Sequence, residues 1–133
     1  MIEPTILQLP KILDQRGNLS VVEEGLNIPF KIARTFWIYD VPGGEIRGGH
    51  AYKATEEFII ALSGSFDVVL FDGEKEIRYN LNRSYYGLFV PRMCWRHMEN
   101  FSTNSLALVL SNKPYLKDEY IRDLNFFTSL KKQ

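Results

Sequence analysis

The chain has 133 residues, of which 45% are hydrophobic and 14% aromatic, a composition that folds around a core rather than staying disordered. Its 16 basic residues balance 16 acidic ones, so it lacks the cationic surplus that binding a nucleic-acid backbone requires. A single cysteine, Cys94, excludes an internal disulfide and suits a reducing, cytoplasmic setting, and no apolar run approaches the about 18 residues of a membrane span.

The stretch Met1-Ile2-Glu3-Pro4 has neither the basic start nor the long apolar run of a leader peptide. No repeat, linker or low-complexity tract divides the sequence, so residues 1–133 are expected to form one domain. Short β-rich runs then follow one another: Asn18 to Glu24, Ile32 to Tyr39, Phe58 to Leu62, Phe66 to Phe71, Ile77 to Leu81, Leu88 to Val90 and Leu106 to Leu110. Gly43-Gly44, Ser63-Gly64, Asp72-Gly73 and Asn82-Arg83-Ser84 separate them. Asp72-Gly73 is a hairpin signal, because both residues tolerate positive φ. Many short strands with turns every 8–12 residues or so predict an all-β jelly-roll barrel. Between Lys117 and Lys132 the period changes. Tyr120, Ile121, Leu124, Phe127 and Leu130 fall near helical spacing, which predicts a short C-terminal helix packed outside the barrel. Cys94, inside the apolar run Phe89 to Trp95, reads as a buried, inert thiol.

The chemistry concentrates around Arg47-Gly48-Gly49-His50-Ala51-Tyr52. Alternate residues of a strand share a face, so His50 and Tyr52 point together into the barrel. Gly44 precedes them, Glu56 and Glu57 follow, and Gly64 closes the run. This resembles the first cupin motif, a glycine, a His-x-His pair, a glutamate and a second glycine. Pro91, Arg96 and Asn100 stand at the proline, histidine and asparagine positions of the second cupin motif. Cupins use the histidines and the glutamate as metal ligands. Here Tyr52 and Arg96 replace two of the four, and a guanidinium has no lone pair to give. The other histidine, His97, is one residue out of place and should face the opposite side of its strand. The expectation is therefore a metal-free cavity. His50 would accept a proton, Tyr52 would donate one or hydrogen-bond an oxygen, and Arg47 and Arg96 would bind or stabilise negative charge. Trp95 is among the aromatic residues that could stack on a sugar or base.

A more specific resemblance follows. Arg16-Gly17-Asn18-Leu19, Glu23-Glu24, Asn27-Ile28-Pro29-Phe30, Arg34 and Arg47-Gly-x-His50-Ala51 resemble the pattern of the sugar 3,4-ketoisomerases that act on TDP-4-oxo-6-deoxyglucose. So do Leu62-x-Gly64-Ser65, Gly87-Leu88-Phe89-Val90, Trp95 and Asp118-Glu119-Tyr120-Ile121-Arg122, and the likeness runs from about Gln8 to Phe127. It implies a cupin homodimer without metal or cofactor that moves a carbonyl between C4 and C3 of a nucleotide-linked 6-deoxyhexose. It also implies His50 as the catalytic base, with Arg47 beside it. Arg34 would then hold the diphosphate, and Arg16, Trp95 and Arg96 would join in substrate binding. The chain departs from the family at Tyr52, where a second histidine is usual. That leaves three readings: Tyr52 as the proton donor, epimerisation instead of ketoisomerisation, or binding without turnover.

Overall fold

The computed structural model describes residues 2–133; Met1, which opens the N-terminal stretch considered above, lies outside them. Two five-stranded antiparallel sheets face each other. The first has the order β1 (Thr5–Gln8), β9 (Tyr86–Val90), β6 (Glu57–Ser63), β11 (Leu106–Ser111), β4 (Arg34–Tyr39). The second runs β12 (Tyr120–Ile121), β5 (Arg47–Tyr52), β10 (Trp95–Glu99), β7 (Phe66–Phe71), β8 (Glu76–Leu81). A separate small hairpin pairs β2 (Lys11–Ile12) with β3 (Leu19–Ser20), and α1 (Leu124–Lys131) ends the chain. This is the expected jelly-roll barrel with a short C-terminal helix.

The core lies between the sheets, built from Ile59 and Ala61 of β6, Val68 and Leu70 of β7, Leu88 and Val90 of β9, and Ala107 and Val109 of β11. Alternate residues of the first sheet, Phe58, Ile60, Phe89 and Leu110, face outward but are covered by Ile28 and Phe30 of the preceding loop. A sheet buried on both faces reads as a continuous apolar run, which is why Phe58 to Leu62 shows no alternation. The second sheet's outer face is covered by α1, whose Phe127 packs on Ala51, Ile121 and Trp95. Full burial of a ring such as Phe127 is worth roughly 1.5–3 kcal/mol. The Asp72-Gly73 hairpin joins β7 to β8, with Gly73 at φ +106° and the Asp72 carboxylate accepting from the Glu74 and Lys75 amides at 2.9 Å each. Cys94 is buried, and burial lifts its thiol to about 11, so it stays protonated. Among the described residues no helix is long and apolar enough to cross a membrane.

Three expectations change. The run from Asn18 to Glu24 keeps only Leu19 and Ser20 as strand. Asn27 ties off the rest as a loop, accepting from the Glu23 amide at 2.9 Å and donating to the Val21 carbonyl at 2.7 Å. Ile32 turns outward onto the loop-covered cluster, so β4 begins only at Arg34. The C-terminal helix begins later than the spacing predicts. Asp123 is its N-cap, accepting from the Phe126 amide at 3.0 Å, and it leaves Tyr120 and Ile121 extended against Tyr52 and Ala51 of β5. That difference puts Tyr120 into the functional cavity.

Candidate active site

His50 and Tyr52 project from β5 into one end of the barrel, and Arg96 of β10 lies directly opposite His50 in the register. Glu57 comes from the other sheet, and Glu57 and Arg96 are each only 1% exposed. They form a two-pronged ion pair: Arg96 Nε donates to Glu57 Oε1 at 2.7 Å and Nη2 to Oε2 at 2.9 Å. The pair thus bolts the two sheets together inside the barrel. Burial opposes the charge on Arg96, but Glu57 more than offsets it and raises the guanidinium's pKa. Gly48 makes room for this group. Its φ is +73°, and a Cβ there would collide with the Arg96 guanidinium. Of the two candidate glutamates, Glu57 is therefore the inward one. Glu56 is tied outside the cavity to Asn112, which donates to Glu56 Oε1 at 3.2 Å.

The Tyr52 hydroxyl donates to Glu57 Oε2 at 3.2 Å. Burial and then the Glu57 charge push its pKa well above the usual phenol value. The Tyr52 proton, expected to serve the cavity, is directed here at a buried carboxylate, although the side chain still lines the cavity. Arg96 spends the fork of Nε and Nη2 on Glu57 and donates through Nη1 to the Gly48 carbonyl at 3.4 Å, while its guanidinium still borders the cavity. The four positions that hold a metal in other cupins are here His50, Tyr52, Glu57 and Arg96. They do not fit a metal, since the guanidinium already occupies the carboxylate.

His50 behaves differently. It is 6% exposed, and its Nε2 has no hydrogen-bond partner. Burial first, then the positive charges of Arg96, Arg122 and Arg34, lower its pKa to about 2. The imidazole is neutral at pH 7 and presents a free nitrogen. Its ring packs edge-on against Tyr52 at 4.8 Å and Tyr120 at 5.0 Å between centroids, while the two tyrosines lie 4.8 Å apart. Arg34, from β4 across the cavity, donates through Nη2 to the Tyr120 hydroxyl at 3.4 Å, and its buried Nε is also without a partner. Arg122 lies over the Tyr120 ring at 4.2 Å. Arg47 is exposed at the rim. His50, Tyr52, Tyr120, Arg47, Arg96 and Arg122 line a cavity of about 400 Å³ together with Phe36 and Ile38. Larger depressions of about 620 and 640 Å³ lie elsewhere, but neither contains a histidine. An unpaired buried polar atom costs about 1–3 kcal/mol. Two such atoms, one on His50 in the cavity lining and one on Arg34, which donates to Tyr120 of that lining, mark the site as built for a polar ligand.

The structure brings His50, Tyr52, Arg47, Arg34 and Arg96 together but separates two other expected residues. Trp95 faces the opposite side of β10, packed on Phe127, so it supports the helix and does not line this cavity. His97 shares that outward face, as its one-residue offset requires, with Nε2 3.6 Å from Glu99. Arg16 sits on the exposed β2–β3 hairpin, paired with Asp14 at 2.8 Å, and does not line its own chain's cavity. Sequence reasoning missed Tyr120 and Arg122 as site residues. The signal was Asp123, an N-cap that should have ended the helix after them.

A buried, neutral histidine among arginines, in a barrel whose metal positions are filled by an ion pair, defines a cupin arranged for acid–base chemistry. Comparison with known proteins agrees. The family described as "FdtA: WxcM-like, C-terminal" matches residues 2–132. The chain is 37% identical over 126 residues to the TDP-4-oxo-6-deoxy-alpha-D-glucose-3,4-oxoisomerase of Aneurinibacillus thermoaerophilus, covering 95% of this chain and 91% of that protein. The crystal structure of a 3,4-ketoisomerase from Helicobacter canadensis superposes with a TM-score of 0.96, at 38% identity and 100% coverage of both chains. A histidine-to-asparagine mutant of the 3,4-ketoisomerase QdtA from Thermoanaerobacterium thermosaccharolyticum, in complex with TDP-4-keto-6-deoxyglucose, gives 0.95 at 29% identity, over 97% of this chain and 94% of that one. The chain belongs to this WxcM-like family of cupin-type sugar ketoisomerases.

Proposed function

We propose that this protein moves the keto group between C4 and C3 of a TDP-linked 6-deoxyhexose without a metal. The free Nε2 of neutral His50, inside a cavity walled by arginines, carries the reading. The C4 carbonyl acidifies the C3 hydrogen. His50 removes it, and the charge that develops on the sugar oxygens meets the cationic wall. A histidine held at so low a pKa still serves as base here. Its positive charge and the enediolate's negative charge arise together, a few ångströms apart, so neither forms as an isolated ion in the low-dielectric cavity. The proton then returns at C4. Arg47 and Arg122, at the rim and without an ion-pair partner among the described residues, hold the diphosphate. Arg34, deeper in, faces the sugar oxygens.

The test is incubation with TDP-4-oxo-6-deoxyglucose, following the C3 and C4 protons by NMR. His50→Asn should lower turnover by roughly 10²–10⁴-fold with the fold intact. A wild-type protein that binds this sugar nucleotide and leaves it unchanged would sink the reading, and so would a fully active His50→Asn.

The working form is a homodimer in the cytoplasm. Leu13, Leu19, Trp37, Tyr39 and Leu62 are exposed apolar side chains on the β2–β3 hairpin and on β4 and β6 of the first sheet, and β4 is an unpaired sheet edge. A second copy covers them, and the hairpin then carries Arg16 towards the substrate of the neighbouring copy. Sedimentation equilibrium checks the assembly; a monomer at micromolar concentration overturns it. The free thiol of Cys94 suits a reducing compartment.

A further inference from the structure

Shifting a carbonyl by one carbon requires two separate proton movements. The hydrogen on C3 must reach C4, and the hydrogen on O3 must reach O4. His50 has one free nitrogen, and while it holds the carbon-bound proton it cannot also serve the oxygens. A second group must do so.

The cavity holds two phenols beside His50, and their hydrogen bonds separate them. The Tyr52 proton goes to Glu57. Tyr120 is in the opposite condition. Its oxygen accepts from Arg34 Nη2 at 3.4 Å, and among the described residues no carboxylate or carbonyl takes its own proton. The register that pairs Tyr120 with Tyr52 across β12 and β5 places its ring 5.0 Å from His50. The geometry points to Tyr120 as the group that exchanges the hydroxyl proton between O4 and O3, with Arg34 holding its oxygen. This deepens the ketoisomerase reading and rests on it.

The step balances without an oxidant or a metal. His50 Nε2 takes the hydrogen from C3, and the C–H pair becomes the C3–C4 double bond. The carbonyl π pair moves to O4, which takes the Tyr120 proton and leaves a tyrosinate against the Arg34 guanidinium. In the second half, the tyrosinate removes the O3 proton and the O3–H pair forms the new carbonyl. The C3–C4 π pair takes the proton back from His50 at C4. Both side chains end as they began.

Two variants test this with TDP-4-oxo-6-deoxyglucose as substrate. Tyr120→Phe keeps the ring and should lower kcat by roughly 10²-fold or more, with affinity for TDP changed by no more than about threefold. Replacing Tyr120 with fluorinated tyrosines of increasing acidity keeps the shape and should move the alkaline limb of the kcat profile stepwise to lower pH, which a packing role would not do. A Tyr120→Phe protein with wild-type kcat overturns the assignment. So does a loss in which TDP affinity falls in parallel while the fluorinated series leaves the pH profile unmoved. Failure of the underlying ketoisomerase reading looks different: the wild type itself then yields no 3-keto product, and the assignment falls with it.

Discussion

Two clusters of polar side chains share one end of this barrel, a few ångströms apart, and they obey opposite rules. In the first, Glu57, Arg96 and Tyr52 satisfy one another: every oxygen of the carboxylate is used, the guanidinium fork is closed, and the phenol is committed. In the second, His50 Nε2 and Arg34 Nε are buried with no partner, and among the described residues the Tyr120 hydroxyl donates to no carboxylate or carbonyl. A satisfied network stabilises and shapes; an unsatisfied one waits for a ligand. The contrast explains how a cupin can lose its metal and keep its site. Arg96 supplies the internal positive charge where a metal ion would sit, Glu57 holds it there, and the imidazole keeps an unpartnered nitrogen.

The largest effect should come from breaking the satisfied cluster. Arg96→Met leaves the Glu57 carboxylate buried without its cation, and should destabilise the fold by about 3–5 kcal/mol. Combining it with Glu57→Leu removes the orphaned charge and should recover much of the loss, as urea denaturation of the two variants would measure. Turnover should stay low in the double variant, because the wall behind His50 has changed. Equal instability of the single and double variants would mean that the pair is not the unit described.

A smaller effect, on the unsatisfied side, is a pH dependence of stability. His50 is held to about 2 in the folded chain, against about 6.5 when unfolded. Below pH 6.5 the unfolded chain takes up a proton that the folded chain refuses. This contribution to stability is therefore complete above pH 6.5 and is lost as pH falls towards 2. The slope approaches about 1.4 kcal/mol per pH unit. His50→Gln should flatten the stability curve by that amount between about pH 6 and pH 4.5, above the range where most carboxylates titrate. Unchanged slopes in the two proteins would show that His50 is not held neutral by burial and its arginine neighbours.

Much of the barrel was legible because its strands carry local signals. Phe66 to Phe71, Asp72-Gly73 and Ile77 to Leu81 announce a hairpin with no help from the rest of the chain. His50 was legible for a similar reason, since strand alternation aims it and Tyr52 at one cavity. What sequence could not give was long-range pairing. Nothing near Arg96 says that Glu57, 39 residues away, will close its guanidinium fork. A positive residue in a cavity motif then reads only as a ligand contact when it is also a bolt between sheets. Trp95 failed by the same period that placed Arg96, as neighbours on a strand face opposite ways and only one of them can line the cavity. Tyr120 failed because an apolar spacing of three and four ran back through the N-cap Asp123, and two residues of strand were absorbed into a helix. Arg16 belongs to an exposed hairpin away from the cavity, where it pairs with Asp14.

The sharpest discrimination between the clusters is the smallest in energy. Tyr52 and Tyr120 are cross-strand partners of the same residue type, both against the His50 ring, and differ in what their hydroxyls do. Tyr52→Phe removes one hydrogen bond to a carboxylate that Arg96 still holds twice. It should cost about 1 kcal/mol of stability, and kcat should fall by less than about tenfold. Tyr120→Phe should do the reverse, with little change in stability and a large loss of turnover. Measured side by side, the two substitutions exchange their effects if the satisfied phenol is structural and the free one moves a proton. If Tyr52→Phe loses turnover as severely as Tyr120→Phe, the hydrogen bond to Glu57 does not withdraw Tyr52 from the chemistry. The two clusters would then be one.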